Sequence, residues 1–119
     1  MATFSNREAF YGGHDKEPRT CDAALIRAFG ILGKRWNGLI LETLLAGPAG
    51  YSEIRRTVAG ISDSVLSKRL TELTDRGLVL RSLDEGLSGR GEYTLTGAGH
   101  ALRPALEELI RWAVENLSD

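Results

Sequence analysis

Apolar residues recur at helical spacing in five stretches of this chain and alternate in two. From Cys21 to Leu32 the positions Ala24, Leu25, Ala28, Phe29 and Leu32 fall on one stripe, and Gly33 follows as a stop. Arg35 to Ala46 repeats the pattern with Trp36, Leu39, Ile40, Thr43 and Leu44, closed by Gly47 and Pro48. This second stretch predicts a buried support helix. Tyr51 to Val58 predicts a short amphipathic helix opened by Ser52, whose hydroxyl can accept from the free amides of a first turn; Gly60 breaks it. A longer helix restarts at Ser62 with Val65, Leu66, Leu70 and Leu73 inward, and Gly77 closes it, where a left-handed residue ends a helix at little cost. The last stretch runs from Gly97 to about Asn116 behind a Thr96 cap, with Leu102, Ala105, Leu106, Leu109, Ile110, Ala113 and Leu117 as a broad apolar stripe.

The two alternating stretches are residues 78–83 and 92–96, half-buried strands joined by a glycine-rich loop over residues 84–91. Two helices separated by a few residues that include glycine form a helix-turn-helix, here residues 52–77, and the strand pair over 78–96 is its wing. The fold expected is therefore mainly α with a small β-wing, a winged helix-turn-helix. Residues 1–20 lack sustained periodicity and read as a flexible arm. The domain proper spans residues 21–112, and residues 97–119 form a C-terminal dimerisation helix.

At 119 residues the chain is one domain in length. No run approaches a membrane span and no signal peptide opens it, which gives a cytoplasmic expectation and no membrane partner. A single cysteine, Cys21, makes no internal disulfide and offers no metal cluster, so neither metal nor cofactor is expected. The net charge of -1 is unusual for a nucleic-acid binder, but its distribution is uneven. Arg19, Arg27, Lys34, Arg35, Arg55 and Arg56 face Asp22, Glu42 and Glu53 between Pro18 and Arg56, whereas Glu107, Glu108, Glu115 and Asp119 outnumber Arg103 and Arg111 after Gly97. One basic face and one acidic end fit double-stranded DNA as partner.

The helix restarting at Ser62 is the candidate reader of a major groove. Ser64, Ser67 and Lys68 lie outward and are the candidate base-reading residues. Lys34, Arg35, Arg55, Arg56 and Arg69 suit phosphate contacts, which fix register without reading sequence. Asp63 is expected to cap. Arg90, between two glycines at the wing tip, suits a narrow minor groove. Cys21, at a helix start near Arg19, reads either as a thiolate-prone redox or electrophile sensor or as a small buried residue. His14 and His100 argue no site. Trp36 and Trp112 could line an effector pocket, but packing explains them as well.

With these elements placed, the chain resembles the HxlR family of bacterial winged-helix regulators, relatives of the MarR group. The resemblance rests on Cys21 before the first helix, Leu32-Gly33-Lys34-Arg35-Trp36 as a glycine, lysine, tryptophan signature, and residues 39–44 as support helix. Residues 60–70 resemble the family's turn and recognition helix, and residues 92–96 its second wing strand. Two departures are Arg35, which is inserted between the signature lysine and tryptophan or replaces one member of the glycine pair, and a glycine-rich wing where a proline is usual. The resemblance implies a transcriptional regulator and a cysteine that senses oxidants or electrophiles.

The apolar stripe of the last helix exceeds what one small domain covers. Leu25 and Phe29 of the first helix with Leu102, Leu106, Leu109, Ile110 and Ala113 of the last are the expected homodimer interface, which would set two recognition helices on one face of a pseudo-palindromic operator. Three function classes remain: a DNA-binding regulator with a small-molecule or electrophile effector, a winged-helix protein-interaction module without DNA binding, and a thiol enzyme built on Cys21. The last has no visible base or oxyanion motif, so no catalytic residue is assigned.

Overall fold

The computed structural model describes residues 19–83 and 91–119; most of the expected arm, the wing tip and Arg90 lie outside the described residues. Within them the order is α1 (Ala23–Leu32), α2 (Asn37–Leu45), α3 (Tyr51–Thr57), α4 (Asp63–Asp75), β1 (Val79–Ser82), β2 (Glu92–Leu95), α5 (Gly97–His100) and α6 (Arg103–Asn116). The strands pair antiparallel with Val79 opposite Leu95 and Ser82 opposite Glu92. Ala49 makes an isolated bridge to β2 through two backbone hydrogen bonds with Tyr93, at 2.8 and 3.0 Å. This is a helix-turn-helix with a two-stranded wing. None of its helices is long and apolar enough to cross a membrane, among the described residues.

The core collects one face from each element: Ile40, Leu41 and Leu44 of α2, Ile54 of α3, Leu66, Leu70 and Leu73 of α4, then Val79, Leu95 and Leu106. Helix α4 owes its ends to local chemistry. Ser62 Oγ accepts from the Val65 amide at 3.2 Å, as its position predicts. At the other end Leu78 N–H donates to the Leu73 carbonyl and Gly77 N–H to that of Thr74, both at 3.0 Å, with Gly77 at φ +79°. That paired closure needs a left-handed residue, and glycine supplies it without steric cost. Thr96 caps α5 by accepting from the Gly99 amide, while its hydroxyl donates to the Gly77 carbonyl at 2.7 Å. Gly99 is buried where a β-carbon would collide with the Leu78 carbonyl, so α5 packs directly on the chain entering β1.

Four expectations need correction. The buried face of α2 is Asn37, Ile40, Leu41 and Leu44, not the stripe through Leu39, which is 48% exposed. A buried asparagine disguised the phase. Helix α3 begins at Tyr51, as expected, but Gly50 and not Ser52 holds the cap position; Ser52 lies inside the first turn and makes no side-chain cap. The C-terminal stretch is two helices, because Pro104 in the first turn of α6 has no amide to donate to the preceding turn and its ring would crowd that turn's carbonyl. Finally, Leu106 is 7% exposed and belongs to the protomer core, not to a surface left for a partner, while Leu102 is partly buried against the same core.

Candidate nucleic-acid interface

Helix α4 presents a divided surface. Leu66, Leu70 and Leu73 anchor it with 2% exposure or less, and this rotation leaves Ser64, Ser67 and Lys68 exposed on its outer face. Its first turn is pinned to α3 from two sides. Tyr51 Oη donates to the Asp63 carbonyl at 3.0 Å, lies 3.2 Å from Asp63 Oδ1, and sits 3.4 Å from Ser67 Oγ. Arg55 Nε pairs with Asp63 Oδ1 at 3.1 Å. Asp63 therefore does not cap; Ser62 does, and the Asp63 carboxylate sits in the first turn neutralised by Arg55 and favoured by the helix dipole. Ser64 Oγ lies 3.4 Å from Ser62 Oγ.

The five expected phosphate contacts fall into three situations. Arg56 is exposed beside Ser52, Arg55, Gly60 and Ile61, with no acidic partner among the described residues. Arg55 and Arg35 are exposed but engaged, Arg55 with Asp63 and Arg35 with its guanidinium carbon 4.5 Å from the Trp36 ring centroid. Lys34 and Arg69 are corrected. Both turn to Glu72: Lys34 Nζ lies 2.5 Å from Oε2, and Arg69 Nη1 lies 3.4 Å from Oε1 with its side chain only 15% exposed. Two cations share one carboxylate, so each is already engaged within the protomer, with one unit of positive charge left over.

Behind this pair lies a polar seam that ties α4 to the end of α1. Asn37 is fully buried and donates from Nδ2 to the Ile31 carbonyl at 2.9 Å. The hydrogen bond from Lys34 holds the Glu72 carboxyl below its usual value; partial burial opposes this, and the Arg69 charge adds to it. A carboxyl depressed in the folded state contributes stability above its unfolded pKa and loses it as the pH falls through the folded one. Acid below the ordinary carboxylate range therefore loosens the seat of α4. Tyr51, Asn37 and Glu72 are the site residues that sequence reasoning missed. Only Glu72 carried a signal, its helical i,i+3 spacing from Arg69.

Helix α1 buries no residue in the protomer. Leu25 and Phe29 are each 56% exposed, and α6 exposes Leu109, Ile110, Trp112 and Val114. Ala113 is half-buried. Cys21 is exposed and stands just outside α1, because Asp22 is the cap, its Oδ1 accepting from the Ala24 and Leu25 amides at 2.8 and 3.1 Å. The thiol thus stands immediately before α1, as expected, one residue ahead of the Asp22 cap. Trp36 packs against the core, whereas Trp112 is 52% exposed.

A family described as HxlR-like helix-turn-helix matches residues 31–119. The HTH-type transcriptional regulator YodB of Bacillus subtilis is 42% identical over 86 residues, which span 72% of this chain and 77% of YodB. Among solved structures, the reduced form of B. subtilis YodB superposes with a TM-score of 0.74 at 36% identity, over 83% of this chain and 97% of that one. The quinone-bound form of the same regulator superposes with a TM-score of 0.69 at 38% identity, over 80% of this chain and 99% of that one.

Proposed function

The chain belongs to the HxlR-like helix-turn-helix family of transcriptional regulators, and from that premise we propose that it binds double-stranded DNA sequence-specifically, as a homodimer on a pseudo-palindromic operator. The observation that carries this reading is the outer face of α4, where Ser64, Ser67 and Lys68 are exposed on a helix whose opposite face is locked in the core. A reading helix needs that rigidity, because base-edge hydrogen bonds tolerate little displacement. Arg35 and Arg56 then hold the phosphates, with Arg55 engaged by Asp63, the helix-turn-helix spans residues 52–77 and the wing residues 78–96. Residues 97–119 serve the dimer through α6, with α1 as the complementary surface; Leu25, Phe29, Leu109, Ile110 and Ala113 form its apolar part.

Lys68→Ala is expected to weaken operator binding by about 1–3 kcal/mol and to relax preference at one base position. Arg56→Ala should weaken binding to every sequence alike and flatten the salt dependence by about 0.9 in log–log slope. Gel shifts on operator and random duplex, each over a salt series, check both, and equal losses on the two DNAs for Lys68→Ala would remove it from the reading set. A winged-helix protein-interaction module is the second reading, favoured by the pairing of Lys34, Arg69 and Arg55 with acids. Absence of salt-dependent duplex binding by the native chain would select it.

Cys21 is the proposed entry point of the signal. YodB is known in reduced and quinone-bound forms, and Cys21 here is free and exposed at the base of α1. A modified sulfur at that position would press on the surface where two protomers meet and shift the two reading helices relative to each other. Quinone or diamide treatment is expected to change operator affinity of the native protein and leave Cys21→Ser unmoved. An equal response from both proteins would move the signal elsewhere, to a small ligand near the C-terminal helices.

A further inference from the structure

Glu72 borders a groove that runs beside the outer face of α4, shared with Lys34, Lys68, Arg69, Asp75 and Arg76. Lys34 reaches it from the connection between α1 and α2, 38 residues earlier in the chain, and remains 43% exposed while bound to the Glu72 carboxylate. Arg69 is different: with 15% exposure it braces Glu72 from within and shows little of its side chain to the groove. Lys68 and Arg76, one helical turn to either side of Glu72, have no acidic partner among the described residues. The groove therefore mixes two cations without an acidic partner among the described residues, Lys68 and Arg76, with two that share the Glu72 carboxylate, of which only Lys34 is well exposed.

We infer that Glu72 is a specificity determinant, a brake on sequence-independent DNA binding that acts by withholding Lys34 from the phosphate backbone. The inference rests on the DNA-binding reading above. A cation on a phosphate strengthens every duplex equally, because phosphates carry no base identity. The quantity that matters to a regulator is its preference for one site over the many competing ones, and undirected charge adds to the competitors. By neutralising Lys34 at the rim of the reading face, Glu72 leaves Lys68 to contribute where a base edge can select it.

The test uses the full-length protein, a short random-sequence duplex and fluorescence anisotropy over a salt series. Lys34→Gln is expected to leave the log–log salt slope unchanged, since its charge is already neutralised. Glu72→Gln, which keeps an acceptor oxygen for Lys34 but no charge, should steepen the slope by about 0.9 and tighten random-duplex binding about eight-fold at about 0.1 M salt. Lys34→Gln combined with Glu72→Gln should return both quantities to native values. A thermal melt establishes that each variant is folded, and Lys34→Gln can still overturn the inference if Glu72→Gln is not. A slope flattened by about 0.9 in Lys34→Gln, or unchanged in Glu72→Gln, overturns the inference while leaving DNA binding intact. No salt-dependent binding by the native chain would instead overturn the DNA-binding reading, and the inference with it.

Discussion

Ile110→Asp is expected to yield a folded monomer that has lost about 10²–10⁴-fold in operator affinity, the factor by which linking two sites exceeds either alone. In a single protomer Ile110 is 47% exposed, so the new carboxylate meets water and the core is untouched. Only across a dimer seam would it be buried, where an unpaired charge is costly. Leu106→Asp would not separate these effects, because Leu106 lies in the protomer core and its loss would unfold the chain. Light scattering at micromolar concentration, circular dichroism and gel shift read the three quantities. A native protein that scatters as a monomer, or an Ile110→Asp variant that stays dimeric, would refute the proposed α1–α6 interface.

Leu41→Ala is expected to cost about 2–5 kcal/mol, the range for a leucine truncated in a close-packed core. Leu41 is 1% exposed and sits at the centre of α2, with Ile40 and Leu44 beside it at 0% and 1%. For a chain of this length the loss should lower the melting temperature by roughly 6–25 °C. Leu39→Ala, at a position 48% exposed, should change stability by less than about 1 kcal/mol. Thermal melts at one fixed protein concentration compare the two, since dimerisation makes the midpoint concentration-dependent. The opposite order would mean that α2 faces the core with the stripe its sequence suggested.

That pair of variants marks where sequence reasoning reached its limit. Apolar periodicity alone puts α2 in the wrong rotation, because the residue that completes the true stripe is Asn37. A fully buried asparagine is tolerable only where another segment offers it a partner, and the Ile31 carbonyl is that partner. Sequence alone does not supply it. Leu106 was misassigned for a related reason: Leu102, Leu106, Leu109 and Ile110 share one stripe, and which of them α2 covers depends on where α6 lies, not on its composition.

What the order of residues settled for itself is whatever depends on neighbours within a turn or two. Ser62 and Thr96 cap, Gly77 closes α4 in the left-handed region, alternation marks β1 and β2, and the outward position of Ser64, Ser67 and Lys68 follows from three leucines at helical spacing. Each of these is a matter of backbone geometry and hydrogen bonds over a few residues, and the side chains in question declare it. The fate of the charges was settled only by the tertiary fold. Lys34, Arg55 and Arg69 look alike in a sequence, yet Glu72 and Asp63 take their charge, while Arg56 and Lys68 stand without an acidic partner among the described residues. A charge is available or consumed according to what lies within about 4 Å of it, and for Lys34 that neighbour comes from 38 residues away.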